Sequence, residues 1–140
     1  SYLVFNFTIK VYYEDTDSGG VVYYANYLKY LERARTEALA SIGLSNLQIK
    51  QKFGALIIVK SCNIEYKKSA HLEDELKIRS FIKSITKTSF VMNQFVTRNQ
   101  EAIVDAQVHL VFINENSKPV KVPDLIFDNF KPYFCDSIKL

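Results

Sequence analysis

The spacing of hydrophobic positions changes along this chain, and that change predicts its secondary structure. Apolar and polar residues alternate over residues 5–14, with aromatic and β-branched side chains on one face, which is typical of a strand. Over residues 23–42 the apolar residues recur every three or four positions without Gly or Pro, which predicts one long helix. Gly43 follows at the position expected of a C-terminal cap, so the sequence also marks the end of the helix.

The rest of the chain favours strands. After Gly54 neither Gly nor Pro occurs until Pro119, and polar clusters divide this segment into alternating stretches. We predict four strands, at residues 55–66, 75–85, 89–98 and 102–114. Their three short connections indicate an antiparallel meander. Asp124 is a candidate N-cap, and the apolar residues after it predict a short helix at residues 124–134.

This order of elements predicts the α+β class. One strand, a loop, one long helix and four consecutive strands allow the helix to lie across one face of an antiparallel sheet. The chain has 140 residues, of which 48% are hydrophobic, which is enough to bury one substantial core. We therefore predict a single domain over residues 1–140.

The distribution of charge argues against nucleic acid as a partner. Eighteen basic residues are dispersed among fifteen acidic ones, and the net charge of +3 is not concentrated in any run. Nucleic-acid binding on a sheet would need basic and aromatic side chains gathered in one patch. A modest positive charge also suits a small phosphorylated ligand, because Lys and Arg neutralise phosphate.

The cysteines and the hydropathy favour a cytoplasmic location. Cys62 and Cys135 form no C-x-x-C pair and are too few for a disulfide scaffold, so we expect both to be reduced. The first residues do not have the pattern of a signal peptide. The longest aliphatic run, residues 55–59, is far shorter than the roughly 20 residues that span a bilayer. We expect no transmembrane segment.

Candidate chemistry lies between the first strand and the long helix. Residues 15–20 read Asp-Thr-Asp-Ser-Gly-Gly, which places Asp17 shortly before two residues without side chains. Glycines permit unusual dihedral angles and close approach of the backbone to a ligand. From this pattern alone, a structural role for Asp17 as a turn or cap residue competes with a catalytic one.

A resemblance to a known family is carried by residues 12–27, YYEDTDSGGVVYYANY, and by ERARTE at residues 32–37. Together they resemble the signature of 4-hydroxybenzoyl-CoA thioesterases and their YbgC (Tol-Pal-associated) relatives. The resemblance implies a hotdog fold, in which a five-stranded antiparallel sheet wraps around one long helix. It also implies a hydrolase that converts short-chain aliphatic or aromatic acyl-CoA to the free acid and CoA.

The resemblance assigns roles to individual residues. The family's catalytic carboxylate falls on Asp17, which either attacks the thioester carbonyl or activates a water. The backbone N–H that polarises that carbonyl falls on Tyr24, where the helix begins. Asp15 keeps a structural role as the turn-forming member of the pair. The implied substrate-binding positions are Gly20, Val21, Val22, Tyr23 and Asn26.

The chain departs from one subgroup of the family at Tyr24. YbgC relatives commonly carry histidine after the position of Tyr23, so the imidazole that could activate water there is missing from this chain. Only the backbone N–H of Tyr24 is needed for the implied role. The alternative for the rings of Tyr23, Tyr24 and Tyr27 is aromatic packing at the start of the helix.

Basic residues near predicted strand ends are candidates for contacts with the phosphates of CoA. Of Lys67, Lys68, Lys83, Lys87 and Arg98, we expect contacts from Lys67, Lys83 and Lys87. The alternative is a solvated basic edge that discourages strand-to-strand aggregation.

The two histidines, His71 and His109, match no recognised metal-ligand spacing. We predict no metal site and no cofactor, since coenzyme A is part of the substrate. His109 shares a strand face with Asp105 and Gln107, which favours a solvated or interface-facing position. The absence of histidine from the loop and helix start also argues against hotdog dehydratases, which depend on one there.

Two further expectations concern binding and assembly. A hotdog module that binds acyl-CoA without cleaving it is the alternative to an enzyme, but a sensor has no need of a carboxylate beside the carbonyl. A sheet wrapped around one helix leaves its edge strands unpaired, and family members pair them across an interface that also forms the active site. We therefore expect a homodimer or a homotetramer.

Overall fold

A computed structural model describes residues 3–135 of the chain. Its strands are β1 (Phe5–Lys10), β2 (Leu56–Tyr66), β3 (Glu75–Ile85), β4 (Ser89–Arg98) and β5 (Glu101–Ile113). Its helices are α1 (Asn26–Ser41), α2 (Asn46–Phe53) and α3 (Asp124–Phe130), with short 3-10 helices at Tyr13–Asp15 and Lys131–Tyr133. No helix within this part of the chain is long and apolar enough to span a membrane.

The five strands form one antiparallel sheet in the order β1-β3-β4-β5-β2. The segment from β3 to β5 is the predicted meander, and a two-residue turn at Asn99 and Gln100, both with positive φ, joins β4 to β5. The prediction that β2 continues this meander is wrong, because β2 pairs with β5 at the far edge. Residues 67–74, which connect β2 to β3, are too many for a tight hairpin and carry the chain across the sheet.

Helix α1 lies against one face of the sheet, as its pattern predicts. Its buried residues recur at helical spacing and are Tyr27, Tyr30, Leu31, Ala34, Ala38 and Leu39. The helix begins at Asn26 rather than at residue 23, because the Asn26 N–H closes a turn onto the Tyr23 carbonyl at 2.8 Å. After its end, Gly43 adopts a φ of 90°, which confirms the expected glycine stop.

The sequence analysis did not predict helix α2. The Ser45 hydroxyl accepts the Gln48 N–H at 3.2 Å, and the Gln48 side chain accepts the Ser45 N–H at 2.8 Å, which is a capping box. Gly54 ends the helix with a φ of 61°. Only Ile49 of its residues is buried, so the segment lacks the apolar periodicity that would have revealed it.

Two predicted elements are longer than the observed ones. The first strand ends at Lys10 instead of residue 14, because the Asp15 carboxylate accepts the Tyr12 N–H at 2.9 Å and the chain turns into a 3-10 helix. The C-terminal helix ends at Phe130, and a 3-10 turn that contains Pro132 follows it. Its N-cap is Pro123, and Asp124 lies inside the first turn.

Strand β2 forms an open edge beside α1. Its residues Val59, Cys62 and Ile64 pair with Leu110, Val108 and Ala106 of β5, whose side chains are buried on the helix-facing side of the sheet. Three aliphatic side chains of β2 are nevertheless 40–47% exposed: Leu56, Ile58 and Val59. This edge is therefore apolar and uncovered in a single chain.

Candidate active site

The loop between β1 and α1 folds into a small hairpin. The Asp17 N–H donates to the Val21 carbonyl at 2.9 Å, and the Gly20 N–H donates to the Asp17 carbonyl at 3.0 Å. Gly20 has a φ of 80°, a backbone conformation that residues with a Cβ atom rarely adopt. The two consecutive glycines of the sequence therefore serve the tight end of this hairpin.

The carboxylate of Asp17 is exposed and only partly engaged. Its Oδ1 accepts the Gly19 N–H at 2.8 Å, and a Cβ placed on Gly19 would lie 3.2 Å from the same oxygen. Within residues 3–135, Oδ2 has no hydrogen-bond partner, and no Lys, Arg or His nitrogen lies within 4 Å of the carboxylate. One oxygen of Asp17 is therefore open to an incoming water or substrate atom.

Asp15 contacts the protein at several points and holds the hairpin to the start of α1. Its carboxylate accepts the Tyr12 N–H, and its backbone carbonyl accepts the Tyr23 N–H at 3.1 Å and the Asn26 side-chain amide at 2.8 Å. Its contacts agree with the structural role expected for it. Burial, and then the nearby Asp15 carboxylate, raise the pKa of Tyr30 beneath the loop.

The backbone N–H of Tyr24 lies at the start of α1. Among the described residues it has no acceptor, whereas the Tyr24 carbonyl accepts the Tyr27 N–H at 3.3 Å and the Tyr66 hydroxyl at 3.4 Å. The Tyr24 ring is exposed and lies 4.8 Å from the ring of Tyr23 and 6.1 Å from that of Tyr66. Tyr24 lies two residues before the first residue of α1, in the turn that leads into the helix, and its unpaired N–H can donate to a negative oxygen.

The remaining predicted residues of the loop differ in their accessibility. Gly20 and Tyr23 are exposed and Val21 is half-buried, so these three can contact a ligand. Val22 is only 5% exposed, packs in the core, and donates its N–H to the Ala70 carbonyl at 2.9 Å. The Asn26 amide is committed to the loop through Asp15. The side chains of Val22 and Asn26 therefore shape the site from behind.

The three lysines expected at the CoA phosphates do not lie together in one chain. Lys67 directly follows Tyr66, the last residue of edge strand β2, and is exposed. Lys83 and Lys87 lie near the turn between β3 and β4. Tyr66 is level with Ile78 across the sheet, so Lys83 is about 17 Å further along β3 and three strands away.

A polar cluster around Asp74 supports the loop from the other side. The Asp74 carboxylate accepts hydrogen bonds from the Arg98 guanidinium at 2.8 Å and from the His71 N–H at 2.9 Å. His71 also forms an isolated antiparallel β-bridge with Val21 of the hairpin. Burial acts to raise the pKa of Asp74, but these two hydrogen bonds hold it below its usual value. The sequence analysis missed this cluster, because its members come from three separate segments.

Known proteins that resemble this chain in sequence are thioesterases. Residues 11–130 match the model of the thioesterase-like superfamily. The acyl-CoA thioester hydrolase YbgC of Escherichia coli O6:H1 is 36% identical over 130 residues, which are 91% of this chain and 96% of that protein. The acyl-CoA thioesterase YbgC of Haemophilus influenzae is 34% identical over 120 residues, or 85% of this chain and 88% of that protein.

Solved structures share the architecture. The crystal structure of a probable thioesterase from Bartonella henselae has a TM-score of 0.83 and 31% identity, and the match covers 86% of this chain and all of that one. The predicted α+β class and hotdog fold are therefore confirmed.

Proposed function

Because the chain belongs to the thioesterase-like superfamily, we propose that it hydrolyses acyl-CoA to a free acid and CoA. One observation carries this proposal: the segment between β1 and α1 presents both an exposed, half-engaged carboxylate, Asp17, and, seven residues later, the free N–H of Tyr24. Thioester hydrolysis needs both a base or nucleophile and a donor for the oxyanion. The substrates are short-chain aliphatic or aromatic acyl-CoA.

Two routes are open to Asp17. As a general base it takes a proton from water, the oxygen of that water adds to the carbonyl carbon, and the CoA thiolate leaves. As a nucleophile it displaces the thiolate and forms a mixed anhydride, which water then opens. In both routes the carbonyl oxygen becomes negative, and the Tyr24 N–H donates to it.

The phosphates of CoA are expected near Lys67, which is exposed and follows Tyr66, a residue in contact with Tyr24. Lys83 and Lys87 stay predictions. Because Lys83 and Lys87 lie far from Lys67 in one chain, they can contact the same CoA only if they come from a second subunit.

The assembly that we propose is a homodimer or homotetramer that pairs β2 strands. This strand has 11 residues and an apolar, exposed edge, and such edges usually find a partner. Sedimentation equilibrium measures the assembly, and a monomer that retains full activity would contradict it. A cytoplasmic location is also part of the proposal, and cell fractionation would test it.

A screen of hydrolysis tests the proposed function directly. Purified protein is offered acyl-CoA of increasing chain length and aryl-CoA, and the released thiol is followed with a thiol reagent. We expect turnover of at least one series, and its loss in Asp17→Asn. Tight binding of acyl-CoA without any thiol release would instead support a binding module.

A further inference from the structure

A cavity of about 240 Å³ lies between helix α1 and the open strand β2. Six of its ten lining residues are apolar: Leu39, Ile57, Val59, Phe90, Met92 and Leu110. Arg35 of α1 also lines it, together with Glu32, Thr36 and Asn46. An apolar cavity with a few polar groups is the usual form of a small-molecule site.

Arg35 is held in place by a buried amide. Its Nη1 donates to Oε1 of Gln94 at 3.0 Å, and Gln94 is fully buried. The Gln94 Nε2 donates to the Leu31 carbonyl at 3.1 Å and to the Ser80 hydroxyl at 3.0 Å. These contacts fix the orientation of the amide, and the amide in turn orients the guanidinium.

The charge of Arg35 is not neutralised by an ion pair. No carboxylate oxygen of residues 3–135 lies within 4 Å of its guanidinium, although burial lowers the pKa of Arg35. A guanidinium has five N–H donors, and Gln94 accepts from only one of its nitrogens. Glu32, on the same cavity wall, acts on Arg35 only at longer range, so the guanidinium keeps N–H donors for a hydrogen-bonded anion.

Strand β2 runs from the wall of this cavity towards the start of α1. Tyr66, which contacts Tyr24, and Cys62, which lies near Arg35, are on the same face of β2. The Arg35 Cα lies about 16 Å along the helix from Tyr24, and helical side chains lean towards the N-terminus. An extended aliphatic acyl group is therefore needed to reach from the thioester to the guanidinium.

We propose that the preferred acyl group carries a carboxylate at its far end, and that Arg35 binds this carboxylate in the cavity. The apolar wall contacts the methylene groups, and the guanidinium binds the two carboxylate oxygens as a planar pair of donors. This proposal rests on the proposed function, because it assigns the substrate class of the same site.

Matched substrates test the proposal. Succinyl-, adipoyl- and suberoyl-CoA are compared with butanoyl-, hexanoyl- and octanoyl-CoA in wild type, Arg35→Met and Arg35→Lys. We expect wild type to prefer the dicarboxylic member of at least one pair. Arg35→Met should lower kcat/KM for that member by about tenfold to a hundredfold with little change for its partner, and Arg35→Lys should recover part of the loss.

Arg33→Met is the matched control, because Arg33 is exposed on the same helix and should leave the preference unchanged. If wild type has equal kcat/KM for the dicarboxylic and the monocarboxylic member of every pair, the proposal is overturned by wild type alone. If Arg35→Met keeps the preference for the dicarboxylic substrate but the oligomer dissociates, the proposal is also overturned. Arg35 would then contact a partner subunit instead of the substrate.

Binding separates this proposal from the proposed function. The affinities of Asp17→Asn for adipoyl-CoA and hexanoyl-CoA, measured by calorimetry with and without Arg35→Met, need no turnover. If no thioester is cleaved but adipoyl-CoA binds more tightly than hexanoyl-CoA, and this difference depends on Arg35, the proposed hydrolysis is wrong and the proposed ligand class is right. If thioesters are cleaved but the two ligands bind equally well, the proposed hydrolysis is right and the proposed ligand class is wrong.

Discussion

Two carboxylates on either side of the same hairpin, Asp17 and Asp74, have very different surroundings. Asp74 Oδ2 accepts hydrogen bonds from the Arg98 guanidinium at the end of β4 and from the His71 N–H, three residues before it in the chain. Asp17 accepts a single hydrogen bond, from Gly19 two residues away, and its second oxygen has no partner among the described residues. The first carboxylate connects segments of the fold, whereas the second is free to react.

The difference follows from the elements that carry each residue. Asp74 lies just before β3, where the crossing segment meets the end of β4, so donors from two directions converge on it. Asp17 lies at the tip of a hairpin that points into solvent, where only local backbone donors are within reach. A carboxylate that is paired with a guanidinium stabilises the fold, and an exposed one without a cation nearby is available to a ligand.

The largest expected effect comes from Asp17→Asn, which keeps the shape of the side chain and removes its basic oxygen. We expect turnover of the best acyl-CoA substrate to fall by about a hundredfold to ten-thousandfold, because neither general-base nor nucleophilic catalysis remains. Binding of acyl-CoA should be largely retained. Steady-state kinetics and calorimetry measure the two quantities.

Asp15→Asn and Asp74→Asn are the matched controls for this comparison. Both remove a carboxylate near the same loop, and both should retain most of the turnover of the folded protein. Near-wild-type turnover in Asp17→Asn, or an equal loss in all three variants, would break the comparison and leave the hairpin with a structural role only.

The next effect concerns the donor. Tyr24→Pro removes the free N–H at the start of α1 and should lower turnover by about a hundredfold to a thousandfold, the usual cost of losing one oxyanion donor. Tyr24→Phe keeps that N–H and should retain most activity. Circular dichroism verifies that the helix forms in both variants, since proline is tolerated in a first helical turn. Equal losses in the two would move the role to the phenol.

The sequence revealed most of the fold because its elements have strong local patterns. Strands β3 and β4 were predicted to the residue because polar clusters bound them, and helix α1 was predicted to within three residues because its apolar residues recur at helical spacing. The position of β2 was not, because its alternation indicates a strand but not its neighbour. Helix α2 was missed although Ser45 and Gln48 have the spacing of a capping box, because one buried residue leaves no periodicity.

The candidate site was predictable only where it is contiguous in sequence. Asp17 and Tyr24 lie seven positions apart in one recognisable segment. The contacts of Arg35 with Gln94 and of Asp74 with Arg98 join residues that are far apart in the chain, so no local sequence pattern predicts them. Side-chain burial of Val22 also required the packed structure, because an exposed and a buried valine look alike in sequence.

The smallest effect should come from Asp74→Asn, which removes the charge that Arg98 and His71 contact. We expect the free energy of unfolding at neutral pH to fall by about 1 kcal/mol, less than is usual for a hydrogen bond to a charged group, because the pair is partly exposed. Arg98 keeps its hydrogen bond to the Ser69 carbonyl at 2.8 Å, which limits the loss. Urea denaturation of wild type and variant measures the difference.

The pH dependence of that difference tests its origin. Since the pKa of Asp74 is lower in the folded chain than in the unfolded one, the charge stabilises fully above the unfolded-state value of about 4. As the pH falls through the folded-state pKa, this contribution is lost. The gap in unfolding free energy between wild type and Asp74→Asn should therefore be constant near neutrality and shrink below about pH 4. A gap that persists unchanged in acid would show that the asparagine disturbs packing instead, and Asp74 would no longer serve as the charged counterpart of Asp17.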